Sequence, residues 1–316
     1  MAVMKWDGPV LNVVKPGETG FTVSSWWWDT DLLIGRSRKK AEEIGVTKES
    51  ALAMLVANGV NELYFDVHFD RLSDWGVQEE GKLSKQELAE FIGLCRANGI
   101  RVASLTGEGG VYACPWLDPE RGYPEFMAHI NGTIDFNRHV PENQRFYGVH
   151  LDMEPHCGDE RPKFLKWMYW MLKALRKACD EGGLELEFDL NSWYNANDMT
   201  TDDDGNAINI MDAYADYCDG IAIMSYRPNA EVQKEMSKFM FGKLKEHGCR
   251  VLLASETMTP DELGEEALIS YYTKGTQYFI KEQQKLRRLI EADGCQKGGI
   301  AIHWVNAWFR MYKNMP

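Results

Sequence analysis

Eight short apolar runs rich in β-forming residues recur along this chain at intervals of 30 to 49 residues. They occupy residues 21–28, 62–68, 101–106, 147–153, 184–191, 220–226, 250–255 and 299–304. Strands that pair in parallel need a crossover of a dozen or more residues, usually a helix, and each interval is long enough for one. The spacing therefore predicts strands and helices that alternate around a parallel sheet.

Helical patterns fill the intervals between these runs. Ser84 and Glu87 form a capping box, and residues 47–57, 162–179, 231–246 and 277–292 also show helical patterning. Glycine, the residue that commonly ends a helix, follows at positions 59, 99, 182, 248 and 294. The repeat predicts an α/β fold, a single (β/α)8 TIM barrel over residues 1–316. A doubly wound open sheet is the competing fold, but it favours a glycine-rich loop where this chain has Trp26-Trp27-Trp28-Asp29.

Composition narrows the class of protein. An apolar fraction of 44% is enough for a full core, and a net charge of −13 disfavours nucleic acid as a partner. No apolar run reaches the roughly 20 residues of a membrane span.

Seven scattered cysteines without CxxC spacing indicate reduced thiols, and no cofactor or metal is expected. Residues 1–15 lack the pattern of an export signal, which predicts a cytoplasmic protein, or a secreted one if such a signal precedes Met1.

Two long stretches without clear periodicity follow predicted strands. Residues 107–144 come after the third strand and contain four prolines, and the acidic residues 195–206 come after the fifth. We expect both to be loop insertions on the carboxyl-terminal face of the barrel, where barrel enzymes place their active sites.

Alternation along each strand predicts which side chains enter the barrel. Val149, Leu151 and Met153 should face the helices. The inward set is then Gly148, His150, Asp152 and Glu154 on the fourth strand, Glu185, Glu187, Asp189 and Asn191 on the fifth, and Tyr64, Asp66 and His68 on the second. Buried carboxylates need partners or a function. We expect structural ion pairs from Glu185 and Glu187, low in the barrel, and a functional role for the acids at the carboxyl ends.

Residues 146–154 read Phe-Tyr-Gly-Val-His-Leu-Asp-Met-Glu, with polar side chains at alternate positions and a terminal D-x-E. This segment resembles the fourth-strand signature of glycoside hydrolase family 18, the chitinases and endo-β-N-acetylglucosaminidases. Met224-Ser225-Tyr226 is similar to the Met-x-Tyr of the family's sixth strand, and Trp304 is similar to the tryptophan that ends its eighth. The three matches occur in the family's order.

The resemblance implies a retaining glycosidase that acts on N-acetylglucosamine-containing glycans by substrate assistance. Glu154 would be the acid and base, Asp152 would orient the 2-acetamido group, and Tyr226 would donate a hydrogen bond to it. Trp304 would form the floor of the pocket, with Met224 at its edge. Trp26, Trp28 or Trp193 would stack on sugar faces. Apart from the resemblance, we expect the substrate-binding residues to include polar side chains at or near the carboxyl ends of their strands, namely Asp66, His150, Asp189, Asn191 and Glu256.

One departure from the family pattern concerns His150, which occupies the family's first acidic position. A protonated imidazole would pair with Asp152 and hold it inward. The sequence therefore predicts that activity falls on the acidic side as His150 gains its proton.

Three other interpretations remain open at this stage. Glu154 and Glu256 would form the acid/base and nucleophile pair of a different retaining glycosidase if their carboxyl groups lie roughly 5 Å apart. A metal-dependent enzyme would draw its ligands from His68, His150, His156 and the neighbouring acids, although no local ligand spacing supports it. A non-catalytic, chitinase-like carbohydrate-binding barrel is the third.

Overall fold

Ten β-strands occur in the part of the chain that the computed structural model describes, namely residues 5–14, 18, 20–33, 45–108, 119–153 and 161–314. They are β1 (Thr22–Trp27), β2 (Glu62–Asp66), β3 (Arg101–Glu108), β4 (Gly148–Met153), β5 (Glu185–Asn191), β6 (Met199–Thr201), β7 (Ala207–Asn209), β8 (Gly220–Met224), β9 (Arg250–Glu256) and β10 (Gly298–His303). Eight of them pair in parallel and close into a barrel in the order β1-β10-β9-β8-β5-β4-β3-β2. The predicted (β/α)8 barrel is confirmed, and each of its strands coincides with a predicted run.

Helices connect consecutive barrel strands on the outside, and one more helix follows the last strand. They are α1 (Lys48–Ala57), α2 (Lys85–Ala97), α3 (Pro119–Arg138), α4 (Arg161–Gly182), α5 (Ile210–Tyr217), α6 (Ala230–Met236), α7 (Lys238–Glu246), α8 (Pro260–Leu263), α9 (Thr276–Ala292) and α10 (Val305–Asn314). Short 3₁₀ turns lie at Thr30–Leu32, Phe69–Arg71, Glu142–Gln144, Gly264–Ile269 and Tyr272–Lys274. The capping box that begins α2 is confirmed, because the Ser84 side chain accepts from the Glu87 N–H and Glu87 accepts from the Ser84 N–H.

The prediction that residues 107–144 form an irregular insertion is wrong for most of their length, because α3 spans residues 119–138. Pro119 is the first helical residue, where its missing N–H costs no hydrogen bond. The buried side chains of Phe126 and Ile130 are four residues apart and lie on one face of the helix. That spacing was the signal that the prolines obscured.

Two smaller differences concern the helix predicted at 231–246 and the stretch 195–206. The helix is divided into α6 and α7 at Ser237, whose hydroxyl donates to the carbonyl of Gln233 at 2.8 Å. Such bonds from serine back to the preceding turn bend helices. Residues 199–201 form β6, which pairs antiparallel with β7 in a two-stranded sheet.

The core has two parts, one between the strands and the helices and the other inside the barrel. Val149, Leu151 and Met153 are buried in the outer part, as alternation predicts. The inner part contains Trp26, Tyr64, Ala103, Leu105, Ala222, Leu252, Ala254 and Ala301. Within the described residues, no helix combines the length and apolar character that crossing a bilayer requires.

Candidate active site

The fourth barrel strand carries Asp152 to the carboxyl-terminal end of the barrel, which we call the mouth. Its register partners are Gly107 on β3 and Asp189 on β5. Asp152 is partly exposed, whereas His150, one inward position below it, is fully buried. Glu154, predicted to be the acid, lies outside the described residues.

Gly107 leaves the space that Asp152 occupies. A Cβ atom built on Gly107 would lie 2.7 Å from the Cβ of Asp152 and 3.0 Å from its carbonyl oxygen. Real Cβ atoms do not approach this closely, so any larger residue at position 107 would displace the aspartate. Glycine on β3 therefore sets the position of a predicted catalytic residue on β4.

His150 is held between two carboxylates inside the barrel. Its Nδ1 lies 3.1 Å from Oε2 of Glu187, and its Nε2 lies 2.9 Å from Oδ1 of Asp189, an ion-pair distance without the alignment of a hydrogen bond. The ring stacks on Tyr64 with a centroid separation of 3.6 Å. Burial alone would lower the pKa of His150, but the charge of Asp189 and the charge and hydrogen bond of Glu187 outweigh it and raise the pKa to about 9.

This pKa contradicts the expectation that His150 gains its proton on the acidic side of the activity profile. His150 is already an imidazolium at neutral pH, because it sits between two acids on β5. Its ring nitrogens face Glu187 and Asp189 and not Asp152. His150 therefore belongs to a buried group of side chains that pack beneath Asp152.

Asp189 and Trp26 belong to the same buried group of side chains as His150. Asp189 is 1% exposed, and its Oδ2 accepts a hydrogen bond of 2.8 Å from the indole N–H of Trp26. Trp26 is also 1% exposed and packs inside the barrel against Tyr64. We expected both residues to contact substrate, but both side chains are buried and neither lies at an open surface.

Glu256 ends β9 and is fully engaged by hydrogen-bond donors. Its Oε1 accepts from the backbone N–H groups of Thr257 at 2.7 Å and Met258 at 2.8 Å. Its Oε2 lies 2.8 Å from Nδ1 of His303, and the side chain is only 2% exposed. A carboxylate held in this way is poorly placed to attack an anomeric carbon.

Three half-buried aromatic rings lie over the inner core at the mouth: Trp28, Tyr226 and Trp304. They follow β1, β8 and β10 respectively, and the peptide bond that precedes Trp304 is cis. Trp193, just after β5, is more open at 44% exposure. The structure thus brings Tyr226 and Trp304 to one end of the barrel, as the sequence predicts.

The remaining predicted site residues lie at the same end. Asp66 ends β2, and its Oδ1 lies 3.7 Å from Nε2 of the exposed His68. Asn191 ends β5 beside the buried Met224 of β8, and its Nδ2 has no hydrogen-bond partner among the described residues. Asn191 therefore carries a buried donor that is unsatisfied within the described part of the chain.

The sequence interpretation missed His303. Alternation along β10 places Ala301 and His303 inside the barrel and Ile300 and Ile302 outside, so the same argument would have found it. Its contacts with Glu256 and Trp28 make it part of the mouth.

A basal charge cluster of Glu62, Arg101, Glu185, Glu187 and Arg250 fills the opposite end of the barrel. Arg101 binds Glu62 at 2.6 Å and Glu185 at 2.6 Å, and Arg250 binds Glu185 at 2.9 Å and also contacts Glu187. Burial would raise the pKa of Glu187, but the charge of Arg250 and the hydrogen bond from His150 lower it to about 2. The predicted structural ion pairs of Glu185 and Glu187 are confirmed.

No group of three or more His, Cys, Asp or Glu side chains within the described ranges is arranged to hold a metal ion. His156 and Glu154, two of the ligands considered for a metal-dependent enzyme, lie outside those ranges. The protein is a (β/α)8 barrel. The described part of its mouth contains the carboxylate of Asp152 and several aromatic rings.

Solved structures of similar fold include chitinases, some of them of glycoside hydrolase family 18, and spore cortex-lytic enzymes. The chitinase of Chromobacterium violaceum superposes with a TM-score of 0.52 at 13% identity, over 93% of this chain and 98% of that one. The spore cortex-lytic enzyme SleL of Bacillus megaterium superposes with a TM-score of 0.53 at 11% identity, over 96% of this chain and 76% of that one. A variant of the family 18 chitinase of Cycas revoluta in complex with (GlcNAc)4 superposes with a TM-score of 0.52 at 11% identity, over 92% of this chain and 98% of that one.

No protein-family model matches this sequence, and no curated protein is significantly similar to it. The likeness to solved structures is therefore one of fold. At that level the resemblance predicted from residues 146–154 is confirmed, because the barrels that superpose on nearly the whole chain include family 18 chitinases.

Proposed function

We propose that this protein is a retaining glycoside hydrolase that cleaves N-acetylglucosamine-containing glycans by substrate assistance. The observation that carries the proposal is the position of Asp152. It is an inward, partly exposed residue at the carboxyl end of β4, two residues before Glu154 and at the same end as Tyr226 and Trp304. Fold neighbours that are chitinases, one of them crystallised with a GlcNAc tetramer, support the same substrate class.

In the proposed reaction, Glu154 protonates the glycosidic oxygen while the 2-acetamido oxygen of the substrate attacks the anomeric carbon. Asp152 orients that acetamido group and stabilises the positive charge of the oxazolinium ion, and Tyr226 donates a hydrogen bond to it. Glu154 then removes a proton from the water that opens the ion. No protein nucleophile is required.

The geometry of Glu256 favours this mechanism over direct displacement. A nucleophile needs a free lone pair directed at the sugar, whereas both oxygens of Glu256 accept hydrogen bonds and the side chain is buried. Its contacts are those of a fixed supporting group.

The test compares fluorogenic chitobiosides with the corresponding cellobiosides, which carry a 2-hydroxyl group in place of the acetamide. We expect turnover of the first and none of the second. Glu154→Gln and Asp152→Asn should each lower kcat by about 10²-fold or more, in the range of a lost acid–base or electrostatic group. Glu246→Gln, at an exposed residue that ends α7 on the opposite side of the barrel from the mouth, serves as the matched control.

Comparable rates on the two substrate series would reject substrate assistance. Wild-type activity in Glu154→Gln would reject the role of Glu154 in any hydrolytic mechanism. Binding of chitooligosaccharides without turnover would instead favour a carbohydrate-binding barrel.

A further inference from the structure

β9 and β10 place Glu256 and His303 side by side at the mouth, where they are register partners. Glu256 cannot turn freely, because two backbone N–H groups hold its Oε1. Its Oε2 therefore fixes the orientation of the His303 ring through Nδ1, at 2.8 Å. The other ring nitrogen, Nε2, is directed at Trp28.

The indole Nε1 of Trp28 lies 3.2 Å from Nε2 of His303. An indole N–H can only donate a hydrogen bond, so Nε2 must accept and must carry no proton. The two contacts form a directional chain, in which Trp28 donates to His303 and His303 donates to Glu256. This chain selects one tautomer of His303, with its proton on Nδ1.

Trp28 is half-buried over the inner core beside the other aromatic rings of the mouth. Its N–H is fixed from one side, so the orientation of its ring is set by His303. Indole rings bind sugars through their flat apolar faces, and the value of such a contact depends on the angle at which the ring is held.

We propose that Glu256 and His303 are positioning residues that orient Trp28 as a sugar-stacking ring. A second proton on His303 would break the hydrogen bond from Trp28 to His303, which we call the hold. The proposal rests on the proposed function only for the identity of the ligand as a sugar. The hold itself is a property of three side chains in the free protein.

The groups that face His303 determine the direction of its pH dependence. They are Glu256 on β9, Asp152 on β4 and Asp189 on β5, with the rings of Trp26 and Tyr226 at 5.6 and 5.9 Å. Burial opposes the charge on His303, but these carboxylates, Glu256 first, raise its pKa above the ordinary value of 6.5. The Trp28 hydrogen bond is therefore present above this raised pKa and is lost as the pH falls through it.

The hold is tested by NMR of the ¹⁵N-labelled full chain, which has 11 indole N–H signals. Trp28→Phe identifies the Trp28 signal, because it removes the N–H and leaves the pair of His303 and Glu256 intact. The signal should shift with one midpoint as the pH is lowered from about 9 to about 5. In His303→Gln, which retains an acceptor but does not titrate, the midpoint should vanish.

Glu256→Gln should lower the midpoint, because the charge that favours the imidazolium is lost. Trp170→Phe, on the exposed surface of α4, is the control for loss of an indole and should leave the Trp28 titration unchanged. A Trp28 signal that does not respond to pH, or that titrates equally in His303→Gln, would overturn the hold.

The stacking role is tested with a chitotrioside substrate. Trp28→Phe should raise KM by about tenfold, the loss of one good aromatic contact, with a smaller effect on kcat. The KM of the wild type should rise at acidic pH, and that of His303→Gln should not. An unchanged KM in Trp28→Phe would overturn the stacking role. Absence of turnover together with the expected NMR titration would instead reject the proposed function and confirm the hold.

Discussion

At the scale of single residues, His150 shows how its surroundings decide the role of a titratable group. A histidine on an inward strand position suggests a pH switch near neutrality. Glu187 and Asp189 flank the ring at 3.1 and 2.9 Å, and they raise its pKa to about 9 against the effect of burial. The residue is therefore a fixed cation at neutral pH.

His150 should make the stability of the fold depend on alkaline pH. Because its pKa is raised above the ordinary 6.5, its stabilisation is complete below pH 6.5 and is lost as the pH rises through about 9. The shift corresponds to about 3 kcal/mol. Urea unfolding at several pH values should show a stability difference between wild type and His150→Gln that shrinks over this range. His139→Gln, at an exposed histidine, is the control, and parallel curves for wild type and His150→Gln would contradict the prediction.

At the scale of elements, neighbouring strands decide where the catalytic candidates lie. β3 presents Gly107 directly beside Asp152, and β9 presents Glu256 beside His303 of β10. In the first pair a missing side chain creates the space, and in the second a hydrogen bond fixes a ring. Each interaction joins two neighbouring strands, so the sequence of either strand alone does not predict it.

Gly107→Ala should damage the mouth, because the new methyl group would overlap Asp152 at 2.7 Å. We expect kcat with a chitobioside to fall by at least about tenfold and the free energy of unfolding to fall by about 1–3 kcal/mol. Gly242→Ala in α7 is the matched control. Its new Cβ meets no atom within 4 Å, and it should stabilise the helix by about 0.5–1 kcal/mol. Full activity in Gly107→Ala would show that Asp152 tolerates displacement.

At the scale of the whole molecule, the barrel separates its charges along its axis. The basal charge cluster ties β2, β3, β5 and β9 together across the lumen. His150 and Asp189 continue the buried polar column upwards, and Asp152 lies at the mouth. The base stabilises the closed barrel, while the mouth presents a carboxylate and aromatic rings.

Arg250→Met should destabilise the barrel strongly, because it leaves the carboxylates of Glu185 and Glu187 without one of their cations. Removing one partner from a buried ion cluster costs about 3–5 kcal/mol. Lys238→Met, at a lysine whose side chain is 73% exposed, should change the free energy of unfolding by less than about 1 kcal/mol. Equal midpoints of urea unfolding for the two variants would show that the cluster contributes little.

The order of strands and helices, and the inward face of β4, follow from the sequence by itself. Both depend on short-range periodicity, since alternation along a strand and apolar spacing along a helix are set by backbone geometry. The same argument applied to β10 would also have placed His303 inside the barrel. Over residues 107–144 the prolines predict an irregular loop, whereas the spacing of Phe126 and Ile130 is that of the helix α3.

Only the tertiary structure decided which inward residues meet. His150 faces Glu187 and Asp189 and not Asp152, and Glu256 pairs with His303, because barrel closure sets the register between strands. That register joins residues tens to hundreds of positions apart in sequence, so no local pattern reveals it. The chemistry of each acid at the mouth depends on these neighbours, and for this reason alternation could place the acids but could not assign their partners.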